Sequence, residues 1–322
     1  MEKIRVGVVG VGYLGKFHAH KYMAMPDVEL VGVADVNPEN AAEVAKFCNT
    51  RSFTDYRELL REVDAVSVVV PTSLHHEVGK ACLLAGVDIL LEKPMTTTLT
   101  EADDLVCLAI EKERLIQVGH IERYNPAVLA MEEYVTHPLF IESQRIHTFK
   151  PRGIDVDVVL DLMIHDIDII LSLVKSPIAT IHTVGVPVFT RTTDIANARL
   201  IFENGCTANI TVSRISKDNI RKLRIFQPKC LISVDYGKKE MAVFRLGREL
   251  GENGLPKEEV IKACYMHQDA LELELADFVN NVRNRTQPKI SGEQGRLALG
   301  VAQEIIAQIT EHAERQSHLL KG

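Results

Sequence analysis

Short apolar runs alternate with segments of helical periodicity through the first 120 or so residues of the chain. Residues 4–9 and 29–35 are mostly apolar runs, which is typical of buried parallel strands. Segment 14–25 between them has helix-compatible spacing and completes one βαβ unit. Strands that alternate with helices predict a doubly wound parallel sheet. Its further predicted elements are helices 38–48, 56–61, 74–85 and 100–113 and strands 65–70, 88–91 and 115–118.

The rhythm changes after about residue 121, where strand-like runs follow one another with short turns such as 203–205. This pattern predicts an α/β fold whose second part is built on a large, mainly antiparallel open sheet. The glycine-containing segment 247–257 is predicted to be a mobile loop. The predicted helices are 156–174, 268–284 and 292–314, and the predicted strands are 141–149, 180–189, 197–203, 206–215, 221–227, 230–236 and 241–246.

The length of 322 residues exceeds what one compact core usually holds and favours two domains. The change of rhythm places the boundary at residue 121. We therefore expect a nucleotide-binding domain at 1–121 and a substrate and oligomerisation domain at 122–322, and the C-terminal helix could pack back on the first domain.

Charge and cysteine usage exclude several classes of protein. Lys and Arg number 37 against 44 Asp and Glu, a net charge of −7, so the chain has no positive field for nucleic acid or an anionic membrane. The start lacks the pattern of a signal peptide, and no apolar stretch is long enough to span a bilayer, so we expect a cytoplasmic protein. The six scattered cysteines fit no metal-ligand spacing and are expected to be reduced, mostly buried thiols.

A G-x-G-x-x-G motif lies between the first strand and the first helix, where a dinucleotide site requires it. Gly10 permits the tight turn, Gly12 lets a pyrophosphate approach the backbone, and Gly15 lets helix and strand pack closely. Asp35 ends the second strand 20 residues after the last glycine, where a carboxylate accepts hydrogen bonds from the adenosine ribose hydroxyls. No basic residue adjoins it, so we expect NAD rather than NADP; the alternative is that this aspartate caps a helix or turn. The neighbouring Tyr13, Leu14 and Val36 complete this part of the predicted site.

Two further segments follow strands at the carboxyl edge of the predicted sheet. In Glu92-Lys93-Pro94, the lysine ammonium can hydrogen-bond a substrate hydroxyl and stabilise the alkoxide that develops as hydride leaves. The alternative is a surface lysine paired with Glu92. Pro71, Thr72, Leu74 and His75 follow the preceding strand in the same way, and for the histidine a structural role is equally plausible.

Asp161 and His165 are four residues apart on the predicted helix 156–174 and therefore share one face. An aspartate beside a histidine can orient the ring and stabilise the imidazolium, which suits a general base. A structural histidine is the alternative. Asp168 lies on the same side, but one histidine with two acids is thin support for a metal, and we expect none.

These residues, in this order, resemble the Gfo/Idh/MocA oxidoreductase family over essentially the whole chain. The resemblance implies a Rossmann domain joined to an α/β domain with a large open sheet, an NAD(P) cofactor and oxidation or reduction of a sugar hydroxyl. It also implies dimers or tetramers built through the large sheets. The family's catalytic lysine, aspartate and histidine fall on Lys93, Asp161 and His165. The motifs that carry the resemblance are Gly10-x-Gly12-x-x-Gly15, Asp35, Pro71-Thr72-x-x-His75, Glu92-Lys93-Pro94 and Asp161-x-x-x-His165.

Segments 119–126 and 161–168 look like those of the family's nucleotide-sugar branch. This resemblance implies oxidation of the 3-hydroxyl of a UDP-N-acetylglucosamine-type substrate by NAD. Met163 replaces the glycine of many relatives, which disfavours inositol and simple hexose substrates. Arg123 and Asn125 are expected to contact the substrate near the crevice, and Arg152 and Arg214 are expected to bind the nucleotide diphosphate. The alternative for each arginine is a solvated residue at the surface.

Three hypotheses therefore follow from the sequence. The leading one is a nucleotide-sugar dehydrogenase in which either Lys93 or His165 is the base. The others are a dehydrogenase of free sugars or inositols, and a non-catalytic NAD-binding protein that uses its sheet to engage a partner.

Overall fold

The computed structural model describes residues 2–149, 156–250 and 256–319. The chain divides into two compact units, each with its own sheet. The first unit comprises Met1–Ile121 and Ala270–Leu299, and the second comprises Glu122–Asp269 and Gly300–Gly322. The C-terminal part of the chain thus contributes to both units.

Six parallel strands form the sheet of the first unit. Their order is β3-β2-β1-β4-β5-β6, so the direction of winding reverses between β1 and β4. Open α/β sheets bind their ligands at such a reversal, outside the carboxyl ends of the strands. The strands are β1 Ile4–Val9, β2 Val28–Ala34, β3 Arg51–Phe53, β4 Ala65–Val68, β5 Asp88–Glu92 and β6 Ile116–Gly119.

Local signals in the sequence set the limits of several helices of this unit. Asn37 accepts a hydrogen bond from the Glu39 backbone N–H at the start of α2, and Pro38 occupies the first helical position. Thr98 and Glu101 form a capping box at the start of α5. The helices are α1 Gly15–Ala24, α2 Pro38–Cys48, α3 Tyr56–Leu59, α4 His75–Leu84, α5 Leu99–Lys112, α8 Ala270–Asn284 and the beginning of α9 Gly292–Leu319.

Helix α8 completes the hydrophobic core of the first unit. Its residues Leu275, Phe278 and Val279 are buried in one cluster with Tyr22 of α1 and Val6 of β1. The start of α9 lies close to β6, where a Cβ at Gly295 would come within 2.5 Å of the Val118 side chain. The parallel sheet is therefore covered by segments from both ends of the chain.

Eight strands form the sheet of the second unit in the order β14-β13-β12-β11-β7-β10-β9-β8. Adjacent strands are antiparallel, except that β7 and β10 are parallel. The strands are β7 Phe140–Thr148, β8 Ile178–Val186, β9 Ile195–Phe202, β10 Thr207–Ser216, β11 Ile220–Gln227, β12 Cys230–Asp235, β13 Glu240–Leu250 and β14 Pro256–Cys264.

Helix α7, Ile164–Val174, packs on this sheet beside β10. Its apolar residues Ile164, Ile167 and Ile170 are fully buried, as are Ala208 and Ile210 of β10. Helix α6, Pro126–Glu132, is shorter than α7. The part of α9 from residue 300 onward also belongs to the second unit.

The predicted α/β fold with a parallel sheet and a mainly antiparallel second sheet is confirmed. Several details differ. Strand β3 and helix α6 are short elements that the pattern did not indicate. The segment 247–257 was predicted to be a loop, but β13 runs to Leu250 and β14 begins at Pro256. Strand β14 has no alternation of apolar and polar residues, because most of its side chains are exposed on both faces of the strand.

All six cysteines are free thiols, but only Cys48, Cys82 and Cys206 are buried. The expectation of mostly buried thiols was therefore too strong. Among the described residues, no helix combines the length and the apolar character needed to cross a bilayer.

Candidate active site

The glycine-rich turn after β1 has the geometry that its sequence predicts. Gly10 has a φ of +86°, and a Cβ there would lie 2.6 Å from the Val69 carbonyl oxygen. A Cβ at Gly15 would lie 1.8 Å from the Gly10 carbonyl oxygen. A Cβ at Gly12, by contrast, would meet no heavy atom of the described residues within 4 Å. Gly10 and Gly15 are thus required by the fold, whereas Gly12 leaves its backbone open to a ligand.

Asp35 ties this turn to the end of β2. Its Oδ2 accepts a hydrogen bond of 2.9 Å from the Val11 backbone N–H, and its Oδ1 accepts one of 2.9 Å from the Asn37 N–H. The carboxylate therefore closes the turn and still has lone pairs for the hydroxyls of a ribose. Both readings of Asp35, the turn cap and the ribose acceptor, are compatible with this geometry.

Large apolar side chains surround the turn in unusually exposed positions. Tyr13 is 59% exposed and Val36 is 90% exposed. Leu14 and Leu74 are 50% and 41% exposed. An apolar rim around a polar turn suits the planar rings of a dinucleotide, so the residues present fit this cofactor.

The segment after β4 approaches the segment after β5 through His75. Its ring Nδ1 lies 2.9 Å from the Pro94 carbonyl oxygen and its Nε2 lies 3.0 Å from the Val70 carbonyl oxygen. Burial lowers the pKa of His75, although the two carbonyls act in the opposite direction. Both ring nitrogens face backbone, which favours the structural role that the sequence left open. Thr72 and Pro71 remain at the surface of the same segment.

Glu92 and Lys93 lie at the carboxyl end of β5. The Glu92 Oε1 is 3.3 Å from Nε2 of His18, and its Oε2 accepts a hydrogen bond of 3.2 Å from the Lys93 backbone N–H. The neighbouring strand has Gly119 at this level, where a Cβ would lie 3.1 Å from the Glu92 Oε2. The carboxylate of the motif therefore points into the unit and holds the backbone of the lysine.

In the second unit, Asp161 and His165 flank the junction of two helical geometries. Val159–Met163 form a π-helical turn, and α7 begins at Ile164. The sequence predicted one uninterrupted α-helix over 156–174, so the start of this helix is corrected. Both side chains are partly exposed, and the Asp161 N–H donates 3.0 Å to the Asp157 carbonyl oxygen. Turns of π-helix are rare and occur frequently at functional sites.

A buried ion network behind α7 was not predicted from the sequence. Arg145 of β7 donates to both carboxylate oxygens of Asp166, at 2.8 and 3.2 Å, and to Glu122 Oε1 at 2.7 Å. Burial alone would lower the pKa of Arg145, but the charges of Asp166 and Glu122 raise it above its ordinary value. One feature of the sequence could have indicated this network. Arg145 is on the same face of β7 as Ile141 and Ser143, which are buried.

The substrate candidates of the second unit have internal partners. Arg123 is 5% exposed and its Nη1 lies 3.6 Å from Asp168 Oδ1. Asn125 is the N-cap of α6, and its side-chain amide also donates 3.2 Å to the Tyr236 carbonyl oxygen. These two residues therefore stabilise the segment in which they lie.

Arg214 is engaged by the turn before β9. It donates to Asp194 Oδ1 at 2.9 Å, to Thr192 Oγ1 at 2.6 Å and to the Thr193 carbonyl oxygen at 3.0 Å. Arg152 lies outside the described residues. Met163 is fully buried against the sheet. Among the described residues, no group of three His, Cys, Asp or Glu side chains is placed to hold a metal ion.

A parallel sheet of this order, a glycine-rich turn with an acid at the next strand, and a lysine at the sheet edge define a dinucleotide-dependent oxidoreductase. Residues 4–120 match the model of the oxidoreductase family with an NAD-binding Rossmann fold, and residues 128–232 match that of the GFO/IDH/MocA C-terminal domain. The chain belongs to the Gfo/Idh/MocA oxidoreductase family. The resemblance seen in the sequence is confirmed.

The relatives include dehydrogenases of nucleotide sugars and inositols. UDP-N-acetylglucosamine 3-dehydrogenase from Acidithiobacillus ferrooxidans is 38% identical over 98% of this chain and 100% of its own. Its crystal structure matches with a TM-score of 0.88 over 95% of this chain and 98% of that one. Myo-inositol 2-dehydrogenase from Thermotoga maritima is 25% identical over 92% of this chain and 93% of its own. A levoglucosan dehydrogenase structure, 18% identical with a TM-score of 0.86 over 96% and 98% of the two chains, shares the fold.

Proposed function

We propose that this protein oxidises the 3-hydroxyl of a UDP-N-acetylglucosamine-type nucleotide sugar to the 3-keto sugar, with NAD as the hydride acceptor. The observation that carries the proposal is the identity of 38% along the full length of a UDP-N-acetylglucosamine 3-dehydrogenase. It is supported by the three candidate catalytic groups, Lys93, Asp161 and His165. Dehydrogenases of inositols are more distant relatives, which makes them the second choice.

Lys93 and His165 have separate roles at the reacting hydroxyl in this mechanism. NAD, when bound, supplies an acceptor at nicotinamide C4 for the hydride from the sugar carbon. The hydroxyl proton passes to a base, either His165 or Lys93. The other group stabilises the negative charge that develops on the oxygen. Asp161, four residues before His165, orients the imidazole and stabilises it when it is protonated.

The cofactor preference rests on Asp35. Its carboxylate is a good acceptor for ribose hydroxyls but repels the 2′-phosphate of NADP. The proposed cofactor site comprises Gly10, Gly12, Tyr13, Leu14, Gly15, Asp35, Val36, Pro71, Thr72, Leu74, Glu92 and Lys93, with His75 in support.

The substrate is tested by supplying UDP-N-acetylglucosamine, glucose and myo-inositol separately with NAD and following NADH absorbance. We expect turnover with the nucleotide sugar and at most slow turnover with the others. Faster oxidation of myo-inositol or glucose would contradict the assignment of substrate. Tight NAD binding without turnover on a broad sugar panel would favour the non-catalytic alternative.

We also propose that the protein is a homodimer or homotetramer assembled through the second sheet. Strands β8 and β13 expose large apolar residues, including Val184 at 52% and Leu246 at 44%. Exposed apolar residues on one sheet mark a surface for association. Light scattering after gel filtration gives the mass, and a monomer at micromolar concentration would contradict this part of the proposal.

A further inference from the structure

Polar side chains from α1, β5, β6 and α8 form a cluster inside the hydrophobic core of the first unit. Each of them is at most 2% exposed except Glu92, whose side chain is 16% exposed. The register of β5 and β6 pairs Leu90 with Gln117, two residues before Glu92 and Gly119. The buried polar cluster consists of His18 and Tyr22 of α1, Glu92 of β5, Gln117 of β6 and Glu274 of α8.

Glu92 is the ionised carboxylate of this cluster. Burial raises its pKa, but the hydrogen bond and charge of His18 and the charge of Lys93 outweigh burial and lower it. Its two oxygens are used separately, Oε1 by His18 and Oε2 by the Lys93 backbone N–H. Glu92 therefore has the partners that a buried charge requires.

Glu274 lies in the same core without such partners. It is fully buried, and neither carboxyl oxygen has a hydrogen-bond partner among the described residues. Its backbone carbonyl accepts a bond of 3.1 Å from Gln117 Nε2, which fixes α8 against β6. An unpaired carboxylate in an apolar core is far more costly than the neutral acid, so this group keeps its proton.

The charged groups around Glu274 also favour its protonated form. Burial raises its pKa well above the ordinary value, and the carboxylates of Glu92 and Asp277 raise it further. Tyr22 of α1 hydrogen-bonds Ser67 Oγ at 2.8 Å, and burial together with the nearby Glu274 raises the pKa of its phenol, which therefore stays neutral. His18 interacts with the cluster through Glu92. Two carboxyl groups in one cluster are thus held in opposite protonation states.

We infer that Glu274 is a protonated positioning residue for Lys93: by staying neutral, it leaves the single negative charge of the cluster on Glu92, which holds the lysine backbone. The inference rests on the proposed function only for the use of Lys93 in the reaction. Deprotonation of Glu274 at alkaline pH would place a second negative charge behind the lysine.

The protonation of Glu274 is measured on the full chain without substrate. Glu274→Gln is permanently neutral and nearly isosteric, and Glu272→Gln, on the exposed side of the same helix, is the matched control. The infrared spectrum of the wild type at pH 7 should contain a protonated carboxylic-acid band that is lost in Glu274→Gln and kept in the control. An unchanged band in Glu274→Gln would overturn the inference.

Urea unfolding at several pH values tests the same proton independently. Because its folded pKa is raised, Glu274 confers a stability that is complete below the ordinary glutamate value and is lost as pH rises through the folded value. Above the ordinary glutamate pKa, the wild-type folding constant should fall with rising pH relative to that of Glu274→Gln, by up to about tenfold per pH unit. Parallel curves for the two proteins would contradict a proton on Glu274.

The link to Lys93 is measured by acetylation with acetic anhydride and peptide mass spectrometry. Only the neutral amine reacts, and a nearby anion favours the charged form. Wild type and Glu274→Gln should react alike at pH 7, whereas at alkaline pH the variant should react at least about threefold faster. Equal rates at every pH would overturn the link. These readouts need no substrate, so failure of the enzyme to oxidise any sugar refutes the proposed function alone.

Discussion

Asp35 offers the sharpest test of the cofactor assignment. An ionised carboxylate has about four lone-pair sites. Two are used by the Val11 and Asn37 N–H groups at 2.9 Å each. The two sites that remain match the two hydroxyls of an adenosine ribose. In Asp35→Asn, one carboxylate oxygen is replaced by an amide nitrogen, which is a donor and faces a backbone N–H group. One hydrogen bond of the turn and one ribose contact are therefore lost.

The size of this effect follows from the bonds involved. A hydrogen bond to a charged group contributes about 1.5–3 kcal/mol. At 1.4 kcal/mol per factor of ten, the loss of one ribose contact should weaken NAD binding about 10- to 100-fold. Titration calorimetry with NAD and NADP gives the two affinities, and the wild type should bind NAD more tightly.

Asp55→Asn is the matched control, because Asp55 also caps a backbone N–H, that of Arg57 at 3.0 Å, away from the glycine-rich turn. Because Asn caps a helix about as well as Asp, this variant should lose little stability and should bind NAD as tightly as the wild type. The reasoning is refuted if Asp35→Asn binds NAD as tightly as the wild type while folded, or if the wild type binds NADP equally well.

Three further predictions concern catalysis and stability. Lys93→Met and His165→Asn should keep NAD affinity but lower kcat for the sugar by at least about 10²–10⁴-fold, and near-wild-type turnover in both would refute their roles. Arg145→Met should cost about 3–5 kcal/mol in urea unfolding because it leaves two buried carboxylates uncompensated, whereas Arg224→Met, which breaks an exposed pair, should cost less than about 1 kcal/mol. Burial raises the pKa of Asp194, but backbone N–H donors outweigh it and lower the value, so its stabilisation is present above the ordinary aspartate pKa and lost as pH falls through the lowered one. The free energy of unfolding of Asp194→Asn, measured with urea at several acidic pH values, should therefore fall less steeply with decreasing pH than that of the wild type.

Local signals account for the parts of the fold that were predicted. The glycines of the first turn, Asn37-Pro38 and Thr98 act on backbone groups within a few residues, so their effects can be inferred without a structure. The period of two in β10 reflects one buried face and is likewise visible in sequence. Strand β14 was missed because exposure on both faces removes that signal.

The polar interior could not be predicted because it depends on contacts between distant segments. Glu274 is 182 residues from Glu92, and nothing near it in sequence distinguishes it from the exposed Glu272 on the same helix. Arg214 was predicted to contact a diphosphate on the basis of its charge, and that contact stays a prediction. The structure adds what its charge does not show, which is that the guanidinium donates to Asp194 in a neighbouring turn.

The return of Ala270–Leu299 to the first unit sets an order for folding during synthesis. The hydrophobic face of the parallel sheet on which α8 packs stays only partly covered until Leu275 and Phe278 leave the ribosome, whereas the strands of the second unit are already complete. At about 5–20 residues per second, the nascent nucleotide-binding half waits roughly 10 to 35 seconds for its missing helix. A chain cut after residue 121 would keep the glycine-rich turn yet present an unfinished core to solvent.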